Sequence, residues 1–205
     1  MKSKNGQETE IKFYISNLSI VEKQLQKLGA NLQQGRTHEV NWRFDSLDGH
    51  LTSTFQVLRL RQDQRVHLAY KGPSDPTSEV SIREEIEFEV SDALSARQFL
   101  EALGYQVVVM YEKFRTTYRM EQAEIVLDEL PFGNFIEIEG SSPEQIKGIS
   151  DQLHLNWGAR IKLSYLALFN QCREKFSLKV SNLLFEEFQG KMFEMNEIVQ
   201  DGLIG

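Results

Sequence analysis

The residues of this chain whose types and spacing suit chemistry are charged, and they recur two apart. Extended backbone turns successive side chains to opposite faces. In Glu8-Thr9-Glu10-Ile11-Lys12 a strand therefore presents Glu8, Glu10 and Lys12 together, with Thr9 and Ile11 behind them. In the same way Arg83, Glu85, Glu87 and Glu89 oppose Ile86, Phe88 and Val90, and Glu137 and Glu139 oppose Ile136 and Ile138. Arg59 and Arg61 share a face against Leu58 and Leu60, and Lys71 falls in phase with His67 and Ala69. Lys113, Arg115 and Arg119 are in phase, and Asp128 lies opposite Ile125 and Leu127.

One such strand is an ordinary solvated edge. Seven of them, acidic alternating with basic, predict a sheet closed around a charged interior, its apolar face turned outward under helices. Burying unpaired charge costs on the order of several kcal/mol per group. Folding alone gives no reason to line a cavity that way. The eight in-phase cations (Lys12, Arg59, Arg61, Lys71, Arg83, Lys113, Arg115, Arg119) either neutralise neighbouring carboxylates in a structural network or hold a polyanion. Guanidinium forks and ammonium groups grip phosphate oxygens well. Carboxylates beside them bind hard cations, Mg²⁺ or Mn²⁺, which bridge phosphates. A cage of both signs is what metal–triphosphate chemistry requires.

The elements that must position these faces are legible in outline. A capping box at Ser19-Ile20-Val21-Glu22 predicts a helix carrying Val21, Leu25 and Leu28 and stopping at Gly29. Residues 39–45 read as a strand, 50–56 as a loop or short helix, and 57–61 with 66–71 as a hairpin. Pro73 and Pro76 mark a loop before a strand over 80–90. Ser91 or Asp92 caps a helix over 93–103; strands follow at 106–120 and 123–128, and a turn through Pro131 leads to the last acidic strand. Ser142-Pro143 opens a helix running to about 153, and a further helix is predicted over 162–176. Acidic strand, serine-rich cap and helix recur three times, too unevenly for a solenoid. Residues 1–6 read as a loose tail, and 178–205, with Leu183, Leu184, Phe185, Phe188, Met192 and Phe193, as an amphipathic helix on the domain or on a second copy.

Length and composition bound the rest. The 205 residues suit one domain with an ample core. No apolar run approaches a membrane span, and the polar N-terminus lacks a signal region. The lone Cys172 excludes an internal disulfide framework, fits a reducing cytoplasm, and sits in an apolar-periodic segment as a core thiol. A net charge of −7 argues against nucleic acid as partner, though not against a small anion in a local basic cage. There is no phosphate-binding Gly-rich loop, no dinucleotide fingerprint, no zinc-spaced Cys/His set and no nucleophile elbow; His38, His50, His67 and His154 are scattered.

Taken together, Glu8-x-Glu10-x-Lys12, Leu58-Arg59-Leu60-Arg61, Tyr70-Lys71-Gly72-Pro73, Arg83-Glu84-Glu85-Ile86-Glu87, Glu112-Lys113-x-Arg115, Leu127-Asp128, Gly133-Asn134-Phe135-Ile136-Glu137-Ile138-Glu139 and Ser164-Tyr165 resemble the CYTH, or triphosphate tunnel metalloenzyme, superfamily. The match runs in order over about residues 7–170 and looks most like the class IV adenylyl cyclase-like branch. It implies an α+β fold: an eight-stranded antiparallel closed β tunnel over residues 1–177, with residues 178–205 outside the resemblance. It also implies a Mg²⁺- or Mn²⁺-dependent enzyme for ATP, thiamine triphosphate or tripolyphosphate. On this resemblance Arg59, Arg61, Lys71, Lys113 and Arg115 hold phosphates, and Lys12 joins Lys113 and Arg115 in the chemistry. Glu8, Glu10, Asp128, Glu137 and Glu139 hold the metal, and Arg83, Glu85, Glu87 and Arg119 line the tunnel. The expected reaction converts ATP to cyclic AMP and pyrophosphate; the alternatives are hydrolysis of a terminal phosphate, or a non-catalytic polyphosphate-binding module. The chain departs from its relatives at Asn41-Trp42-Arg43-Phe44-Asp45, where an acidic residue and a tyrosine commonly precede Phe-Asp, in a region that shapes the organic end of the substrate.

Overall fold

Strands with one charged and one apolar face bury both by closing into a barrel, which sets the apolar faces under helices and leaves no unpaired edge. The computed structural model describes residues 6–191 and 194–203. Apart from Gly6, the N-terminal tail lies outside these, as do Met192 and Phe193 of the C-terminal stretch. The chain runs β1 (Gln7–Tyr14), α1 (Leu18–Lys27), β2 (Asn31–Ser46), α2 (His50–Ser53), β3 (Val57–Gln62), β4 (Val66–Lys71) and β5 (Ser81–Val90). It continues through α3 (Ala93–Ala102), β6 (Tyr105–Met120), β7 (Ala123–Leu130), β8 (Gly133–Glu139), α4 (Pro143–Gln152), α5 (Tyr165–Lys175) and α6 (Phe185–Phe188). Single 3₁₀ turns stand at Trp157–Ala159 and Met195–Glu197.

All pairings are antiparallel, and the closed order is β1-β5-β4-β3-β2-β6-β7-β8, with β8 returning to β1. The fold is therefore the closed eight-stranded antiparallel barrel with helices outside. Among the described residues no helix is long and apolar enough to cross a membrane.

The outer faces of β1, β7 and β8 (Ile11, Phe13, Ile125, Leu127, Ile136, Ile138) pack under Val21 and Leu25 of α1 and Ile146 and Ile149 of α4. Phe44 and Leu60 on β2 and β3 pack under Leu100 of α3. A third cluster is different in kind. Tyr14, Tyr111, Leu130 and Phe135 occupy positions in phase with the charged residues of their own strands, so the inner face turns apolar toward one end. There α5 and residues 178–199 pack through Tyr165, Leu168, Phe169, Leu183, Phe188 and Met195.

Four details differ from the sequence expectation. First, α1 begins at Leu18 and is capped by Asn17, whose side chain accepts from the Ser19 amide; Glu22 instead accepts from the Tyr118 hydroxyl at 2.9 Å. Second, β2 starts eight residues before position 39. Its polar first half carries no alternation of its own, shows two register shifts, and is held by pairing with the equally long β6. Third, Ile86 and Phe88 do face away from the interior, but each is 52% exposed because the helices cover other parts of the sheet. Fourth, residues 178–203 do not form one amphipathic helix. Among the described residues they hold a four-residue α6 and one 3₁₀ turn, strung along the barrel by backbone bonds such as Leu183 N to Met110 O (2.9 Å) and Gly202 N to Tyr14 O (2.7 Å).

Candidate active site

The inward faces enclose a cavity of about 330 Å³ whose wall carries eight cationic and seven carboxylate side chains. Of the residues singled out by spacing, Glu8, Glu10, Lys12, Arg59, Arg61, Lys71, Arg83, Glu85, Glu87, Lys113, Arg115, Glu137 and Glu139 all reach it. Asp128 and Arg119 are not in the wall. Asp128 is fully buried behind it, and Arg119, about a third exposed, pairs with Glu124 at 3.7 Å.

Strand register sets most of the pairs. Lys12 on β1 lies opposite Glu137 on β8 (Nζ to Oε1 3.5 Å), and Lys71 on β4 opposite Glu85 on β5 (3.4 Å). Lys71 also donates to Glu8 at 2.5 and 2.7 Å, and Arg83 donates to Glu8 and Glu10 at 3.1 and 3.0 Å. Arg59 and Arg61, two apart on β3, each stand 3.6 Å from Glu87.

On the opposite wall Arg115 makes a fork to both oxygens of Asp128 (2.7 and 2.6 Å) and a further bond to Glu137 (2.6 Å). Lys113 and the Tyr165 hydroxyl also donate to Asp128, at 2.9 and 2.8 Å. Asp128 thus acts here as the counter-ion that aims Lys113 and Arg115. Burial works against ionised Glu39, but Lys113 and Arg115 outweigh it and hold its pKa at about 2. Burial likewise opposes ionised Glu137, and Lys12 and Arg115 hold its carboxyl well below the usual range. Both are anions at neutral pH.

One carboxylate behaves in the opposite way. Glu139 on β8 lies directly opposite Glu10 on β1 and Glu124 on β7. No cation pairs with it within 4 Å among the described residues. Burial, with Glu8, Glu124 and Glu10 nearby, pushes its pKa up to about 7. The donors gathered here are all carboxylate oxygens, which suit a hard cation. Among the described residues no three acidic, histidine or cysteine side chains converge closely enough to hold an ion by themselves.

Alternation alone picked out most of the wall but passed over Glu39, Arg43, Tyr111, Glu124 and Tyr165 as site residues. Glu39 and Arg43 were in phase within β2, opposite Val40, Trp42 and Phe44, and Glu124 was in phase with Asp128. Tyr165 comes from α5, capped by Ser164, and its ring lies under both Lys12 (5.4 Å) and Lys113 (5.3 Å). Its reach into the barrel is a tertiary fact. Cys172 is buried, 3.6 Å from the Met195 sulfur, and burial pushes its thiol up to about 12.

Comparison with known proteins agrees with this geometry. A Methanocaldococcus jannaschii protein named as a putative adenylate cyclase is 32% identical over 173 residues, covering 78% of this chain and 97% of the relative. The crystal structure of a Vibrio parahaemolyticus protein, also named as a putative adenylate cyclase, superposes with a TM-score of 0.74 at 22% identity, covering 82% of this chain and 99% of the other. A Hippeastrum protein, described as a putative adenylyl cyclase with a dominant triphosphatase activity, superposes with a TM-score of 0.60 at 22% identity, covering 80% and 95%. The family model of the CYTH domain matches residues 6–161, which span every strand of the barrel, and by that match the chain belongs to the CYTH family.

Proposed function

We propose that the cavity binds a triphosphate together with Mg²⁺ or Mn²⁺ and cleaves it, most closely in the manner of a class IV adenylyl cyclase. The observation that carries this reading is that one cavity wall bears both signs of charge. Arg59, Arg61, Lys71, Lys113 and Arg115 line or border the cavity, while Glu139 stands among carboxylates with no cation within 4 Å among the described residues. A polyphosphate answers the first group and a hard divalent ion the second. Glu10 and Glu139, opposite each other on β1 and β8, would hold the ion, with Glu8 and Glu137 engaged by Lys71 and Arg115 beside them; Asp128 serves it indirectly by fixing Lys113 and Arg115. When bound, the ion supplies charge neutralisation across the phosphate chain.

The chain's own groups do the rest. Arg59 and Arg61 project two guanidinium forks from β3, and Lys113 and Arg115 project from β6, two strands further round the barrel, so two neighbouring parts of the wall would hold the phosphate oxygens. These cations offset the charge that builds on departing pyrophosphate. Lys12, between Glu10 (3.7 Å) and Glu137 (3.5 Å), is positioned to meet the reacting group. In the cyclase reaction the ribose 3′ oxygen bonds to the α-phosphorus as the bond to the β-phosphate oxygen breaks. The relative that is 32% identical bears a cyclase name, which supports this choice. Hydrolysis at the terminal phosphate is the second reading, supported by a wall in which, among the described residues, Val57, Val126 and Leu166 are the only aliphatic members.

With ATP and Mn²⁺ the expected products are cyclic AMP and pyrophosphate, with little orthophosphate, resolved by ion-exchange chromatography. Orthophosphate as the main product, or faster turnover of tripolyphosphate than of ATP, moves the assignment to the hydrolase.

A further inference from the structure

Like charges stand directly opposite each other at two places in the cavity wall. One is the carboxylate group around Glu139. The other is across the barrel, where Arg43 on β2 lies opposite Arg59 on β3. β2 is four strands from β1 in either direction round the ring, so the two places face each other. Direct opposition of like charges destabilises a sheet. Arg59 is relieved by Glu87 at 3.6 Å and the Tyr111 hydroxyl at 3.4 Å.

Arg43 has no comparable ion pair. Lys12, Arg61, Lys71, Arg83, Lys113 and Arg115 each have a carboxylate within 4 Å. Among the described residues Arg43 has none. It donates one long bond, 3.4 Å, to the Gln56 carbonyl, and its Nε is buried without a partner. Burial, with Arg59 and Arg83 nearby, lowers its pKa below that of an ordinary arginine and outweighs Tyr111 and Asp45, which favour its charge. Buried polar groups in folded proteins are almost always satisfied, and each exception calls for a ligand, a water or a function.

We propose that Arg43 is a specificity-determining residue which, with Arg59, forms a phosphate subsite selecting a chain of three phosphates over a chain of two. This rests on the triphosphate reading of the cavity. A diphosphate bound through a metal at the carboxylate wall leaves the opposite wall unserved. A third phosphate extends the chain across the cavity to Arg43, which among the described residues has no carboxylate within 4 Å. Its dianionic oxygens accept from the Arg43 and Arg59 forks and remove the repulsion between them.

The test compares inorganic tripolyphosphate and pyrophosphate binding, each with Mg²⁺, by calorimetry on the full chain and on Arg43→Gln, with ligand-free melting measured alongside. Losing a charge-assisted hydrogen bond should weaken tripolyphosphate by roughly tenfold or more and pyrophosphate by less than about threefold. The ligand-free variant should melt at the same temperature as the wild type or higher, because an unpaired cation has gone. Equal losses for the two anions, undiminished tripolyphosphate binding, or a lowered melting temperature would each overturn the subsite, as would a variant that fails to fold. A wild-type chain that binds no tripolyphosphate would instead overturn the triphosphate reading on which the subsite depends.

Discussion

Single residues in this barrel divide by whether their charge is answered within the protein. Glu137 and Asp128 are paired with arginine and lysine, so both are answered within the fold. Glu139 is not so held, and its carboxyl titrates near 7 rather than at the usual 4.5. The folded state therefore binds more protons than the unfolded chain between those values, and stability falls as pH rises through that window. In the metal-free protein, Glu139→Gln should raise stability by about 3 kcal/mol at pH 8 and have little effect at pH 4. Denaturant titrations at the two pH values measure this, and an equal effect at both would show that Glu139 is not strained by its neighbours. The same substitution should cut metal-dependent turnover by orders of magnitude. Arg61 poses a separate question, because its Nε is unsatisfied while its other contacts to Glu87 and Asp63 are 3.6 and 3.7 Å. Lysine keeps the charge but loses the fork. Arg61→Lys should thus raise KM for the triphosphate by roughly tenfold with the melting temperature unchanged. A lower melting temperature with unchanged KM would make Arg61 a structural partner of Glu87.

At the scale of elements, strand register turns these residues into a site. β1 contributes to both walls of charge because Lys12 faces Glu137 while Glu10 faces Glu139 on the same neighbour. A one-residue slip would exchange the charged face for Ile11 and Phe13. The C-terminal segment fixes that register from outside by laying backbone on backbone. Gly202 donates to the Tyr14 carbonyl, accepts from the Asn156 amide at 2.7 Å, and passes so close to β1 that a Cβ would sit 2.7 Å from Phe13 Cβ and 3.0 Å from Tyr14 O. Phe13 is fully buried and cannot yield cheaply. Gly202→Ala should therefore cost about 1–3 kcal/mol of stability, read from urea unfolding, while kcat for the folded fraction stays near wild type. A neutral substitution would mean that the segment rests on the barrel without being clamped to it.

For the molecule as a whole, net charge and function point in different directions. The chain carries −7 overall, yet closing the sheet gathers eight cations, with seven carboxylates among them, around a cavity of about 330 Å³. A polyanion would be recognised by the individual cations it meets inside that cavity, and not by the protein's average charge. Closure also fixes how much of a nucleotide the site must grip. A cyclase has to hold the ribose against the α-phosphorus, whereas a triphosphatase needs only the phosphate chain and a water. An ATP analogue lacking the 3′-hydroxyl should therefore inhibit competitively and yield no product; its release of orthophosphate, followed by phosphate assay, would identify the barrel as a hydrolase.

What the sequence determined by itself was the face of each strand. Alternation such as Glu8-Thr9-Glu10-Ile11-Lys12 is a local property, set by the two-residue period of extended backbone, and nearly all the charges it grouped do reach one cavity. Helix ends at Asp92 and Ser142 were legible for the same local reason. Features that depend on what lies across from a residue were not. The first half of β2 is a strand only because β6 pairs with it, and Ile86 and Phe88 are exposed because no helix happens to cover them. Asp128 shares a phase with Glu124, yet one is sealed behind Lys113, Arg115 and Tyr165 while the other borders the cavity beside Glu139. The unanswered charge on Arg43 and Glu139 is likewise a relation between strands far apart in the chain. Alternation decides which side of a strand a group is on, and only closure of the barrel decides what it meets there.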